Sequence, residues 1–276
     1  SRPPQPWEQW TSATAAVRKL MCASHLPAVN FCSAVTTLPS IASRLATRWS
    51  GGTTRQTAYG MTAPASLSAP LRRALLSQEA LVEAFASLTS RGLIPDLRCN
   101  AYGLGIERVS ALARDAGVAQ ALHSPADKEA SVLSSTSQEA PGSTSWLGAP
   151  RPVMTLEGDV VSLKRVPAGT PVSYGYQYRT TSETTLALVS VGFADGVPRS
   201  ASMKGEVSLG GIRHRVAGRI AMDQMVLDIG DASADLGDVV TIWGTDPSVT
   251  EWSQWSSRPV ALLIAQLAPR VVKIWN

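Results

Sequence analysis

Between Glu8 and Glu79 this 276-residue chain has no Asp or Glu, although Arg18, Lys19, Arg44, Arg48, Arg55, Arg72 and Arg73 fall inside that stretch. Charge is scarce overall. Asp, Glu, Lys and Arg make up 17% of the residues, against roughly 25% in an ordinary soluble domain. Hydrophobic residues reach 44%, enough to build a core, which excludes a chain disordered throughout. Cysteine is nearly absent. Cys22, Cys32 and Cys99 form neither a disulfide framework nor a zinc spacing. His25, His123 and His214 show no ligand spacing either. His214 alternates with Arg213 and Arg215 and reads as an exposed strand residue. The net charge of +4 is mild and its basic residues are dispersed. No motif of the usual nucleic-acid readers is present, so direct nucleic-acid binding is not expected.

What is there begins with residues 1–65, an irregular extension closed by Gly51, Gly52, Gly60 and Pro64. Basic, Ser/Thr/Ala-rich and acid-poor is the composition of an organellar transit segment, which a membrane potential draws in and acidic groups would oppose. The expectation is a mitochondrial protein, with the plastid as the alternative. Residues 20–43 carry no formal charge and are long enough to cross a bilayer. Pro27, Pro39, His25 and Asn30 interrupt them, so a surface-packed segment is preferred to a membrane association.

Residues 66–150 read as a short βα fragment. Leu71, Leu75, Val82, Phe85 and Leu88 suggest one helix over 71–88, stopped by Gly92 and Pro95. A strand is expected over Asp96–Ala101, a helix over Ile106–Ala116 ended by Gly117, and a strand over Val118–Leu122. Ser131–Pro150 reads as a linker. From Val153 the texture changes to short β-rich runs: Asp159–Lys164, Leu186–Val191, Val207–Leu209 and Val239–Trp243. That pattern predicts an all-β, barrel-like domain over 151–276, with a short helix at Val260–Leu267 and a closing strand at Arg270–Trp275. The fold class is therefore α+β.

Six segments of this C-terminal half stand in the order seen in one family: Pro152–Leu156, Val172–Gly175, Gly192–Gly196, Val216–Gln224, Leu236–Val239 and Trp243–Gly244. Asn100-Ala-Tyr-Gly-Leu-Gly105 and Ala126–Ala130 add two more. On these segments the chain resembles the alanine racemase family. The resemblance implies a homodimeric pyridoxal-phosphate enzyme with a TIM-type barrel and a β domain. Its active site lies where one subunit's barrel meets the other's β domain. Two bases serve it: the lysine that holds the cofactor as a Schiff base, and a tyrosine from the β domain.

At those positions this sequence departs from the pattern. The cofactor lysine belongs two residues before Asn100, where Arg98 stands; a guanidinium stays protonated and makes no useful Schiff base. The tyrosine belongs at Phe193, which has no hydroxyl. The phosphate-binding tyrosine, counted back from Arg270, falls at Ala261. Tyr102, Met222 and Asp223 match retained site positions. They also read as a loop tyrosine, a residue packed beneath the β domain and a turn residue; Arg219 reads as a buried salt-bridge partner. Lys128, Lys164, Lys204 and Lys273 lie off the cofactor strand. Only about 85 residues are left for the barrel, where a closed one takes about 250.

These losses predict a catalytically inactive relative, without covalently bound pyridoxal phosphate and without a metal. Its expected role is that of a structural accessory subunit, with protein partners in a hetero-oligomeric, mitochondrial assembly. Tryptophans in loops and near the ends (Trp7, Trp10, Trp49, Trp146, Trp252, Trp255, Trp275) fit interface anchors. The alternatives are a diverged pyridoxal-phosphate racemase that uses another lysine, and a regulatory half-partner of a full-length racemase.

Overall fold

The computed structural model describes residues 71–127, 131, 133–135 and 142–276. The extension, the segment 20–43 and Lys128 lie outside the described residues, and so do the expectations placed on them. No helix among the described residues is long and apolar enough to cross a membrane.

In chain order the strands are β1 (Arg72–Leu76), β2 (Ile94–Pro95), β3 (Gln120–Ala121), β4 (Ser134–Ser135), β5 (Gly142–Ser143), β6 (Met154–Val166), β7 (Pro171–Val172) and β8 (Tyr178–Arg179). They continue with β9 (Thr184–Val189), β10 (Glu206–Leu209), β11 (Ile212–Arg215), β12 (Met225–Gly230), β13 (Val239–Trp243) and β14 (Val272–Trp275). The helices are α1 (Gln78–Ser90), α2 (Arg98–Gly103), α3 (Ile106–Asp115), α4 (Val249–Ser256) and α5 (Val260–Ala265).

β6 organises the C-terminal half. Its first part is antiparallel to β1 and to β13, and its second part to β9. The order β11-β10-β13-β6 continues through β9 to β12, and the bridge Val216↔Leu227 brings β12 back beside the end of β11. This ring is the barrel-like domain, and its closure removes the open edges that an isolated sheet would present. Alternation places Leu156, Val160, Ala187, Val189, Val207, Leu227, Val240 and Ile242 in the core. Gly158 sits where a side chain could not, because a Cβ there would run into Val191.

The N-terminal part is the partial barrel. β5, β2, β3 and β4 lie side by side as short parallel strands, with the Asp96↔Leu122 bridge extending the β2–β3 pairing. α1 and α3 pack on one another beside them. Ser77 caps α1 by accepting from Ala80 N at 3.2 Å.

Several expectations are corrected. Residues 72–76 are a strand, not the first turns of a helix. Ala74 and Leu76 alternate into the core while Arg73 faces Glu157 and Asp159 across the sheet, and helix starts only after Ser77. Because β1 lies between β6 and β14, the large sheet crosses the boundary expected near residue 150. Extended structure stops at Asp96, and 98–103 coil instead. The expected linker contains β4, β5 and a 3-10 turn over Ser145–Gly148 that buries Trp146 completely. His214 is buried, not exposed, because it points into the barrel between two outward arginines. Helix α3, β13 and α5 stand close to where the sequence pattern places them.

Candidate functional site

Arg98 and Tyr102 lie on α2, which is wound the wrong way. Cys99, Asn100, Ala101 and Tyr102 have φ between 51° and 57°. Left-handed backbone costs roughly 1–2 kcal/mol per non-glycine residue, so other contacts must hold the turn. Two aspartates do. Asp96, buried, accepts from Arg98 N at 3.0 Å and from Arg98 Nη2 at 2.6 Å. Asp127, also buried, accepts from Asn100 N at 3.0 Å. Asn100 Oδ1 in turn accepts from Ile106 N at 2.7 Å and starts α3. Trp146 closes the turn from below. Its Nε1 donates to Asp96 O at 3.2 Å, and its ring meets Tyr102 edge-on at 6.3 Å and Phe85 at 5.2 Å.

The electrostatics follow from this packing. Burial alone would raise the Asp96 carboxyl, but hydrogen bonds from the Arg98 side chain and backbone and from Tyr102 outweigh it and hold the group below the usual range. Burial, then Asp96, pushes the Tyr102 hydroxyl well above its ordinary range. Asp96 raises the Arg98 guanidinium further. Arg98 is thus a permanently charged group locked to a carboxylate.

One amine that the sequence reading sets aside as lying off the cofactor strand comes close to this turn. Lys273 on β14 is half-buried, and its Nζ donates to Gly103 O at 2.6 Å. Burial lowers its pKa. Its place in the closing strand gave no hint of this, because the contact spans 170 positions of sequence.

Phe193, Met222 and Asp223 come together on the barrel. Phe193 N and Ala194 N donate to Ala221 O (2.9 Å) and Met222 O (2.8 Å). Gly192 allows this approach, since a Cβ there would strike those same carbonyls. Asp195, completely buried, accepts from Gly192 N at 2.7 Å and from Arg270 Nε at 2.6 Å. Arg270 Nη1 reaches Asp223 at 2.6 Å. Met222 is 57% exposed and Phe193 36%, so Met222 does not pack beneath the domain as expected. The Arg199 guanidinium stands 5.6 Å over the Phe193 ring. Arg219 is half-buried and donates to the neutral Gln177 at 3.2 Å, which corrects its reading as a salt-bridge partner. Ala261 lies partly buried on α5.

These residues do not fit a covalently held pyridoxal phosphate. Position 98 offers no amine, and Phe193 and Ala261 offer no hydroxyl. No group of His, Cys, Asp and Glu among the described residues is arranged to hold a metal ion.

A family model described as "Alanine racemase, C-terminal domain" matches residues 153–275. The alanine racemase of Frankia casuarinae is 50% identical over 107 residues, which is 37% of this chain and 28% of that protein. That of Beutenbergia cavernae is 40% identical over 128 residues, 45% of this chain and 34% of that protein. The chain thus matches about a third of the length of its curated relatives. Among solved structures, alanine racemase from D-cycloserine-producing Streptomyces lavendulae superposes with a TM-score of 0.65 at 20% identity, over 76% of this chain and 98% of that one. Alanine racemase from Bartonella henselae, with covalently bound pyridoxal phosphate, superposes with a TM-score of 0.65 at 15% identity, over 75% and 99%.

Proposed function

We propose, from the match of residues 153–275 to the alanine racemase C-terminal domain, that this chain is a non-catalytic relative that works through its surfaces, as a structural subunit of a larger assembly. The observation that carries this reading is the Arg98–Asp96 pair. A guanidinium in a bidentate grip with a buried carboxylate occupies the position where the family's amine belongs. Phe193 adds to it, because an aromatic ring with no hydroxyl can neither take nor give a proton at the substrate carbon. The acid-free stretch between Glu8 and Glu79 supports a mitochondrial location.

The deciding experiment isolates the native protein under mild conditions, sizes it, and identifies what travels with it. Migration in a large hetero-oligomer supports the reading. Migration as a small homodimer, or with a full-length racemase alone, refutes it, and the latter would instead make the chain a regulatory half-partner.

One observation favours a second reading, a diverged pyridoxal-phosphate enzyme. Lys273 brings a half-buried amine against the Asn100–Gly105 segment. Treatment with pyridoxal phosphate and borohydride, followed by peptide mapping, separates the two. A stoichiometric pyridoxyl adduct at Lys273 would establish an enzyme-like site; its absence leaves the non-catalytic reading standing.

A further inference from the structure

We propose that the free edge of β14 takes an added strand, an extended segment of a protein partner in which acidic and β-branched residues alternate. The inference rests on the reading that the chain works through its surfaces, and it names one surface and the chemistry of what it takes.

The edge is open because the barrel-like ring does not include it. β14 is the last strand of the large sheet, and among the described residues it pairs with β1 alone. The bonds of Asn276 fix its phase. Asn276 N donates to Leu76 O at 3.0 Å, and Asn276 O accepts from Gln78 N at 3.1 Å. Backbone groups alternate in direction along a strand, so Val272 and Ile274 also face β1. The N–H and C=O groups of Lys273 and Trp275 therefore point out of the sheet, as a template for another strand. Native edges are often blunted by proline, a bulge or an outward lysine. Val272–Trp275 contains no proline and runs beside β1 in unbroken register. Its one lysine is tied back to Gly103 O at 2.6 Å.

The side chains decide what fits. Val272, 44% exposed, and Ile274, 37% exposed, lie on one face beside half-buried Leu75 of β1. A β-branched or aromatic residue across the strand pair is their favourable neighbour. The opposite face is cationic. The Arg108 guanidinium of α3 stands 4.8 Å over the Trp275 ring, and Lys273 lies on the same side of the strand. Neither meets a carboxylate among the described residues, whereas Arg72, Arg73, Arg98, Arg151, Arg165 and Arg213 each face at least one. A guanidinium stacked on a ring keeps its planar N–H edge for a carboxylate. Alternation in the incoming strand then sets Asp or Glu toward Arg108 and apolar side chains beside Val272 and Ile274. A second β14 does not supply this, because its residues on that face would be Lys273 and Trp275. Main-chain bonds would hold the added strand, and alternate side chains would select it.

The first test is hydrogen exchange on the full chain, purified and in its native assembly. The Lys273 and Trp275 amides should exchange at least about tenfold more slowly in the assembly, while the Ile274 amide, held by β1, is slow in both. Equal exchange of Lys273 and Trp275 in the two states overturns the edge and leaves the assembly reading intact. Replacing Val272 by the photo-crosslinker p-benzoylphenylalanine then identifies the occupant. The expected product is a segment of another protein in which Asp or Glu alternates with apolar residues. Linkage to a second copy of the chain, or to nucleic acid, overturns the proposal. Lys273→Pro, which removes an outward N–H and spares the bonds to β1, should abolish the link. Lys273→Met, which loses the amine and keeps the N–H, should retain it. A link that survives the proline, or is lost equally in both variants, refutes strand addition. A chain that migrates alone sinks the assembly reading instead, and the purified full chain then judges the edge with a fluorescent peptide of alternating Glu and Val. Lys273→Pro, and Arg108→Glu at an exposed helix position, should each weaken binding at least about tenfold. No binding, an unchanged affinity in either variant, or equal binding of the same peptide with Gln for Glu, refutes the proposal.

Discussion

Arg270 grips two loops at once: its Nε lies 2.6 Å from Asp195 and its Nη1 2.6 Å from Asp223. Asp195 has no solvent exposure and also faces Arg72 Nε at 3.1 Å. This junction ties β1, the Gly192–Gly196 turn, the 221–224 turn and the C-terminal segment together, and it is why Phe193 and Met222 share a face. Asp195→Ala leaves two arginines and the Gly192 amide without their buried acceptor. It should destabilise the chain by about 3–5 kcal/mol, read by urea unfolding. Asp223→Ala, at a half-exposed carboxylate, should cost about 1 kcal/mol or less. Equal effects from the two would refute the clamp.

Trp146 is the central plug of the partial barrel, fully buried against Phe85 and Tyr102. Trp146→Ala should cost about 3–5 kcal/mol. Hydrogen exchange should show α1 and α3 opening before the β6–β9–β12 sheet. Uniform loss of protection would mean that the two parts unfold as one unit.

His214 supplies a pH dependence. Burial lowers its pKa, with a weaker opposing contribution from Asp228, and its Nε2 has no hydrogen-bond partner among the described residues. The folded state therefore binds a proton less readily than the unfolded chain, whose histidine titrates near 6.5. The contribution is complete above that value and is lost as pH falls toward the lower folded pKa. Thermal stability should drop as pH is lowered through about 6.5, and His214→Gln should flatten that part of the profile. An identical profile in the variant would assign the slope to other groups.

Asp96 controls Tyr102 as well as Arg98. Asp96→Asn removes the charge that, after burial, raises the tyrosine pKa. Spectrophotometric titration should therefore find Tyr102 ionising at lower pH in the variant, together with a stability loss of about 1–3 kcal/mol. An unmoved tyrosine titration would show that Asp96 does not reach it.

Periodicity and turn residues made much of the fold readable. The runs that became β6, β9, β10 and β13, and the helices α3 and α5, are local signals: alternation, β-branched residues, and stops at Gly and Pro. The motif order identified the barrel-like domain, and simple counting showed that a closed TIM-type barrel could not fit. That Arg98 offers no amine able to form a Schiff base and Phe193 no hydroxyl is likewise written in the residues themselves.

What only the tertiary structure decided depends on partners far away in sequence. Leu71 and Leu75 suit a helix, yet Arg72–Leu76 became a strand because β6 and β14 lie ready on either side of it. Alternation with arginines made His214 look exposed, but alternation alone does not say which face of a strand is covered. The left-handed turn at 99–102 has no glycine to announce it; it exists because Asp96, Asp127 and Trp146 hold it from outside. Lys273 meets Gly103, and Arg270 joins Asp195 to Asp223, only once the last strand has been laid beside the first. Chemistry by residue type is local and can be read from the sequence. Burial, charge pairing and the sharing of a face belong to the packed molecule.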